Sequence, residues 1–477
     1  VVGVVYLFLY KFLLESLGIE KLGVWSIILA TSSIANLANF GITSGLVKFI
    51  ADYNAKKHLK DIPKSIFTAL VSIIILFLLI VIIIYFFSKV ILGFVVEQKY
   101  LSLALEILPY SLLCLFINSV GGIFTSTLEG FQKNYVKNFL FLFSSVFLLL
   151  SSYYLVPIYQ LKGVAIAQVL QSVIILVGSL LFVINTSQLA IFNKWNWDYK
   201  IFRELINYGA KFQVISVFQM LYEPITKGLI SKFGGLAVLG YYEMAARLVN
   251  QVRALIVNAN QVMVPVVAHT NSTQKENLKE LYNKMMSITF FVNVLLISVL
   301  LIFTPIISIL WIGHWEPIFV FSMLLLSTSI FVNILIGPAY FSCVGEGNLN
   351  LIVKSQIMIG IVNLILGYVL GYYFSGKGVI VSWAISVAIS SFYLFYNYQK
   401  EKDIPLTNLF TKYNVILFFV SVLVTIFSFV LYNVFASYIN NTWVLLGCYI
   451  IVTIVVFIPF IIKNKDVIDL KQAFFKK

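Results

Sequence analysis

Fourteen apolar runs, most of them about 20 residues or longer, follow one another along this chain with short polar connections between them. They lie near 1–14, 23–50, 65–92, 101–128, 136–157, 163–184, 207–232, 238–267, 282–311, 317–344, 350–374, 377–398, 413–436 and 442–463. About 20 apolar residues is what a helix needs to cross a hydrocarbon layer roughly 30 Å thick. Lipid offers the backbone no hydrogen-bond partner, so each segment must satisfy its own peptide groups as a helix. Barrel strands would instead read as about ten residues of alternating polarity. With 61% apolar and 11% charged residues and a mean hydropathy of +0.98, the composition agrees. The fold class is an all-α polytopic membrane protein with about fourteen transmembrane helices.

The first run has 14 residues and opens on Val1 rather than Met, so it is read as a span whose start lies upstream. It does not read as a signal peptide, because no basic region precedes it and no small-residue cleavage site follows.

Three patterns recur in order. Gly18 with Leu22-Gly23-Val24-Trp25 returns as Gly235 with Leu239-Gly240-Tyr241-Tyr242, a shift of 217. Asn118, Gly122 and Gly130 return as Asn333, Gly337 and Gly345, and Lys162-Gly163-Val164 returns as Lys377-Gly378-Val379, both shifted by 215. So long a period marks duplicated lobes rather than a solenoid, and paired membrane lobes are the usual sign of a transporter. Six spans per copy give pseudo-symmetric lobes at 1–184 and 207–398, inserted in the same direction. Between them, 185–206 carries Lys194, Trp195, Trp197, Asp198, Lys200, Arg203 and Glu204, alternating aromatics and charges that suit an amphipathic helix linking the lobes at the cytoplasmic interface. The helix pair at 413–463 has no counterpart and is an appended hairpin.

Basic residues accumulate in cytoplasmic loops. The loops after even-numbered segments, with the C-terminal tail, hold 22 of the 33 Lys and Arg, against 7 after odd-numbered ones. This predicts cytoplasmic termini and accounts for most of the +14 net charge, which gives no support to nucleic-acid binding. Cys114, Cys343 and Cys448 sit in apolar runs without CxxC spacing, and His58, His269 and His314 lie far apart, so no metal site or cofactor is expected. The nearest approach to a phosphate-binding loop, Gly371 with Gly376-Lys377, ends in Gly378 where Ser or Thr should hold magnesium. No connection exceeds about 25 residues, too short for a catalytic domain outside the membrane.

Ionisable groups inside spans cost at least about 2.5 kcal/mol at the bilayer centre and are functional candidates by default. Glu223 and Lys227 are four apart on span seven, Glu243 and Arg247 four apart on span eight. An antiparallel turn centred near residue 235 would set Glu223 level with Arg247 and Lys227 level with Glu243. Pro224 should kink span seven. A neutral ladder fastening two helices is the plain alternative to a switching cavity wall. Arg253 has Val217 at its mirror position, so it reads either as a bidentate anion site or as a snorkelling side chain. Lys48, near the end of span two, favours snorkelling, and Lys11 shares a face with Glu15 on the first run. Span two carries Thr31, Ser32, Ser33, Asn36, Asn39, Thr43 and Ser44; the equivalent span eight carries Asn250, Gln251, Asn258, Asn260 and Gln261. So many polar side chains on paired helices fit a hydrated cavity able to bind sugar hydroxyls.

The chain resembles the Wzx-type flippases of bacterial surface polysaccharide synthesis, within the multidrug/oligosaccharidyl-lipid/polysaccharide (MOP) exporter superfamily that also holds the MATE transporters. The resemblance rests on Gly18-x3-Leu-Gly-Val-Trp, Asn39-Phe40-Gly41-Ile42 with Lys48 and Asp52, Gly130-Phe131-Gln132-Lys133, and Leu239-Gly240-Tyr241-Tyr242 with Ala246-Arg247-Leu248 and Pro265. It implies two six-helix lobes, alternating access, and movement of an undecaprenyl-diphosphate-linked oligosaccharide between leaflets of the cytoplasmic membrane. Membrane lipid and the polysaccharide polymerase and chain-length machinery are the partners such a flippase would work beside. It also implies that Arg247 matches a cavity arginine of the lipid II flippases, with Lys11 at a basic first-span position. The rivals are a drug/cation antiporter of the same superfamily and a membrane-embedded polymerase or glycosyltransferase. The first would need unpaired acidic groups, whereas Lys48, Lys227, Arg247 and Arg253 outnumber Glu223 and Glu243. The second would need a sizeable outer loop, so the expectation is a non-enzymatic flippase.

Overall fold

The computed structural model describes residues 2–35, 41–55, 61–187, 196–261, 263, 267, 278–346, 349–405, 411–435 and 442–463, and the side chains of all of these except 31–35, 55, 186–187, 208–221, 435 and 442. Outside this description lie Thr31, Ser32, Ser33, Asn36, Asn39 and Phe40 of the second run, with His58, Lys194, Trp195, Val217, Pro265 and His269.

Among the described residues every regular element is a helix. In chain order these are α1 Val2–Leu17, α2 Ile19–Ala35, α3 Ile42–Ala55, α4 Asp61–Gly93, α5 Gln98–Gly130, α6 Asn134–Tyr159, α7 Leu161–Ser187, α8 Tyr199–Gln261, α9 Leu278–Ile307, α10 Pro317–Leu335, α11 Gly337–Glu346, α12 Asn350–Lys402, α13 Lys412–Phe435 and α14 Thr442–Lys463. Among the described residues nine helices are long and apolar enough to cross a membrane, and α12, at 53 residues, holds two of the apolar runs. The chain falls into two compact units, Val1–Gly240 and Tyr241–Lys477.

In the first unit α5 is central, packing against α2, α3, α4 and α7, while α6 lies on α7 and α1 on α6. In the second, α9 takes that place against α10, α11, α13 and α14, and α12 packs on α10 and α11. Phe290, Phe291, Val294, Ile302 and Ile306 of α9 meet Leu417 of α13 and Leu445, Tyr449 and Phe457 of α14 in one apolar cluster. The appended pair is therefore seated on α9. Phe86 of α4, Tyr154 of α6 and Tyr373 of α12 are more than 70% exposed, a pattern that suits lipid rather than water.

The duplicated motifs mark turns and close approaches. Gly18 and Gly235 both have positive φ, 82° and 79°. Just beyond them the packing is reciprocal: a Cβ on Gly23 would lie 2.2 Å from the Leu236 carbonyl oxygen, and one on Gly240 would lie 2.6 Å from that of Ile19. Since 236 is 19 displaced by 217, the start of α2 and the residues following Gly235 make the same approach to each other from both sides. Small residues at such crossings admit close backbone approach, the main source of helix association where lipid removes the hydrophobic drive. The motif neighbours Leu22, Val24 and Trp25 are buried, and Trp25 Nε1 donates to Gln168 Oε1 of α7 at 3.1 Å.

The third motif behaves alike. Gln160 (φ 50°, ψ −132°) turns the chain from α6 into α7, and Ser375, its counterpart under the same shift as Lys162 and Lys377, turns α12 back on itself (φ 56°, ψ −149°). A Cβ on Gly163 would meet the Leu155 carbonyl oxygen at 2.4 Å, and one on Gly378 that of Leu370 at 2.0 Å, the same pair displaced by 215.

At the second motif the copies diverge. α5 is continuous through Gly122 and Ile123, whereas its counterpart is divided into α10 and α11 at Ile336, before Gly337-Pro338. Proline has no N–H for the carbonyl four residues back, and its ring crowds that carbonyl.

Asn196–Asp198 are not helical and Tyr199 begins α8, which continues without a break into span seven. Asp198 caps this start, accepting from the Lys200 and Ile201 N–H groups at 2.7 and 3.1 Å, and pairs with Lys64 of α4 at 2.5 Å. Thr68 Oγ1 accepts from Asp198 N at 3.1 Å, and Trp197 Nε1 donates to Ser72 Oγ at 3.2 Å. The start of α8 is thus strapped to α4.

Three outcomes are expected. Gly23→Ala and Gly240→Ala should each cost about 1–3 kcal/mol by overpacking, read as lower melting temperature of the detergent-solubilised protein. Gln160→Gly and Ser375→Gly should each raise stability by about 1–3 kcal/mol, because they relieve a backbone conformation glycine alone adopts freely. Lys64 and the two N–H donors hold the Asp198 carboxyl below its usual pKa. The strap's contribution is therefore complete above the unfolded pKa of about 3.9 and is lost as pH falls through the lower folded value. Protease sensitivity near residue 196 should rise over that range, and Asp198→Asn should abolish the pH dependence.

Candidate functional site

The ionisable groups singled out in the sequence fall on the two legs of α8. Non-helical backbone within α8 occurs at Gly235, and the helix runs through Pro224. On the first leg, Lys227 Nζ lies 2.9 Å from Glu223 Oε1; the lysine side chain is 4% exposed and the glutamate 62%. On the second, Arg247 Nε donates to Glu243 Oε1 at 2.8 Å, with the glutamate 2% exposed and the arginine 36%. Both pairs have the i,i+4 spacing at which side chains on one helix face meet, the acid N-terminal to the base. The placement is reciprocal: the buried member is a cation on one leg and an anion on the other. A buried charge persists only when paired and hydrogen-bonded, and each of these two buried groups has a partner of opposite charge one turn away on its own leg.

Arg253 lies six residues beyond Arg247, about 9 Å along the axis and about a third of a turn round it. It is half-buried, and its Nη2 donates to Asn333 Oδ1 of α10 at 3.2 Å. Asn333 Nδ2 in turn donates to Ser391 Oγ of α12 at 3.4 Å. Around this chain the second unit holds further polar side chains: Thr289 Oγ1 donates to Asn260 Oδ1 at 3.3 Å, and Asn293 Nδ2 to the Phe331 carbonyl at 2.8 Å. Asn250, Gln251, Asn258 and Gln261 of span eight are exposed; Asn260 is buried. Thr43, Asn260's counterpart under the 217 shift, faces Gly122 as Asn260 faces Gly337, so the copies share this contact.

The remaining candidates belong to the first unit. Lys48 is exposed on α3, with Nζ 5.9 Å from the Phe49 ring centroid. Lys11 is half-buried on α1, 4.0 Å from Glu15. Asn333 and Ser391 were not singled out as site residues. Asn333 had a signal, since it is the duplicated partner of Asn118; Ser391 is one serine among many in an apolar run. A second polar cluster joins α11 to the end of α12, where Glu346 accepts from Tyr398 OH at 2.9 Å and pairs with Lys402 at 2.5 Å. Among the described residues no group of His, Cys, Asp and Glu is arranged to hold a metal ion.

Truncating Arg247 should test the pair on the second leg. Arg247→Ala would leave Glu243 buried without this partner, and Arg247→Ala/Glu243→Ala should lose less stability than the two single substitutions added, by about 0.5–3 kcal/mol. A melting-temperature cycle measures the coupling.

Solved structures place this arrangement in a known architecture. The chain aligns with the lipid II flippase MurJ in an inward closed conformation over 98% of both chains, with 17% identity and a TM-score of 0.74. It aligns with an inward-facing multidrug resistance MATE family transporter of the MOP superfamily over 84% of this chain and 94% of that one, with 14% identity and a TM-score of 0.73. A MOP superfamily transporter from Pyrococcus furiosus matches 84% of this chain and 92% of its own, with 15% identity and a TM-score of 0.60. At these identities the likeness establishes the fold. No sequence among curated proteins matches the chain. A sequence profile described as polysaccharide biosynthesis protein matches residues 1–271 of the 477. The chain is a multi-pass membrane protein with the MOP-superfamily fold, and it belongs to the polysaccharide biosynthesis protein family.

Proposed function

We propose that this chain is a flippase that moves an undecaprenyl-diphosphate-linked oligosaccharide from the inner to the outer leaflet of the bacterial cytoplasmic membrane by alternating access. Its halves in this reading are the sequence repeats 1–184 and 207–398, joined through 185–206, with 413–463 appended and both termini cytoplasmic. Family membership supports a role in polysaccharide synthesis, and a lipid-linked cargo is what the name of one structural relative states for that protein.

The observation that carries the reading is Arg253, a half-buried guanidinium that donates to a neutral amide rather than to a carboxylate. A positive group of this kind favours an anionic ligand, and arginine's planar fork suits phosphoryl oxygens. Arg247 is the second anion-binding group. In this reading Glu223, Lys227 and Glu243 shape the switching cavity. Lys48 and Lys11 supply positive potential along the route. Outward movement of a headgroup with two negative charges across an inside-negative membrane gains about 4.6 kcal/mol per 100 mV, so the potential favours export. A cation antiporter would need a carboxylate free to take cargo, and both Glu223 and Glu243 have basic partners.

In cells lacking their own copy, Arg247→Ala and Arg253→Ala, each inserted normally, should reduce surface polysaccharide at least about tenfold, the loss expected when a charge-assisted hydrogen bond is removed. Undiminished export in both would end the anion-site reading. Efflux of a cationic dye from proteoliposomes would favour the antiporter instead.

A further inference from the structure

The guanidinium of Arg253 is anchored on one side and unsatisfied on another. Nη2 donates to Asn333, while Nε is buried without a hydrogen-bond partner among the described residues. A buried donor left unpaired costs about 1–3 kcal/mol, more when it belongs to a charged group, and native structures rarely keep one without reason. Nε–H and one Nη2–H project from the same side of the planar fork. That edge fits two oxygens of one tetrahedral oxyanion.

What aims this edge is the amide of Asn333. Its oxygen must face the guanidinium, because an NH2 group there would oppose donor to donor. Ser391, 1% exposed on α12, holds the amide in that orientation by accepting from Nδ2 at the other end. Three helices are thereby tied in order: Ser391 on α12, Asn333 on α10, Arg253 on α8. The first-unit counterpart, Asn118, is exposed on α5, so the duplicated position is put to this use in the second unit.

Depth is consistent across the three. Arg253 follows Gly235, Asn333 follows Pro317 and Ser391 follows Ser375 at nearly equal spacings along their helices. At the α-helical rise each lies about 24–27 Å from its turn. In the proposed orientation those turns are on the outer side, so the cluster lies where a headgroup from the inner leaflet arrives.

We propose that Asn333, held by Ser391, is a positioning residue that presents the Nε/Nη2 edge of Arg253 to one phosphoryl group of the incoming lipid diphosphate. This rests on the flippase reading above and adds to it a specific orienting chain.

The test uses the full-length protein in detergent, titrated with farnesyl diphosphate as the probe. Asn333→Asp places a carboxylate against the guanidinium and should weaken binding at least about tenfold without lowering the melting temperature. Arg253→Lys, which keeps the charge but not the fork, should bind as poorly as Arg253→Ala. If Asn333 acts through Arg253, Asn333→Ala should weaken binding in the wild-type background and cause no further loss in Arg253→Ala; a merely structural residue would weaken both alike. Should Asn333→Asp fail to fold, Ser391→Ala replaces it, with an expected loss of about threefold. Wild-type affinity in the Asn333 and Ser391 variants, with Arg253→Ala impaired, overturns the positioning role and leaves the flippase reading standing. A wild-type protein that does not bind farnesyl diphosphate overturns both.

Discussion

Hydrocarbon gives a peptide group nothing to bond to, and most of this structure follows from that refusal. Each segment must satisfy its backbone alone, so the chain becomes a sequence of long helices, and even its side-chain hydroxyls turn inward: Ser65, Thr127, Ser145 and Ser322 each donate to the carbonyl four residues back. Among the described residues, departures from regular helix have local causes. Gly235 and Gly18 permit positive φ, Pro338 removes a donor, and Pro305 precedes the π-turn at Ser308–Ile312, which Gly313 closes in the left-handed region.

The same constraint decides what holds the helices together. Where lipid is as apolar as leucine, close contact and hydrogen bonds matter more than exclusion from solvent. Gly23 against Leu236, Gly240 against Ile19, Gly163 against Leu155 and Gly378 against Leu370 are all backbone approaches closed to any side chain. They come in pairs displaced by the repeat. A motif that marks duplicated lobes in the sequence is therefore a packing requirement imposed twice.

Much of the architecture was legible because membrane helices announce themselves by length and polarity. Each of the fourteen apolar runs is mainly helix in its described part, and contacts related by the offsets of 215 and 217 recur in the structure. Hydropathy missed two subdivisions inside apolar runs: the second run holds α2 and α3, and the tenth holds α10 and α11. A hydropathy window sums over a turn and does not register one proline or one left-handed glycine. For the site, spacing of four was enough to foresee Glu223 with Lys227 and Glu243 with Arg247. It was not enough for Arg253, whose neighbours Asn333 and Ser391 belong to other helices far along the chain. Partners that distant leave no periodic trace, and only the duplication pointed at Asn333.

The divided helix gives the two copies different mechanics. In the first unit α5 is an unbroken strut from Gln98 to Gly130, whereas the second unit replaces it with a jointed one. The joint at Ile336 comes just after Asn333, within a single helical turn. Bending there would swing α11 about a point less than one turn from the Asn333 amide, while α10 keeps that amide in place. Through one proline, the duplicated scaffold acquires a copy jointed beside its hold on a charged group, where its twin is continuous.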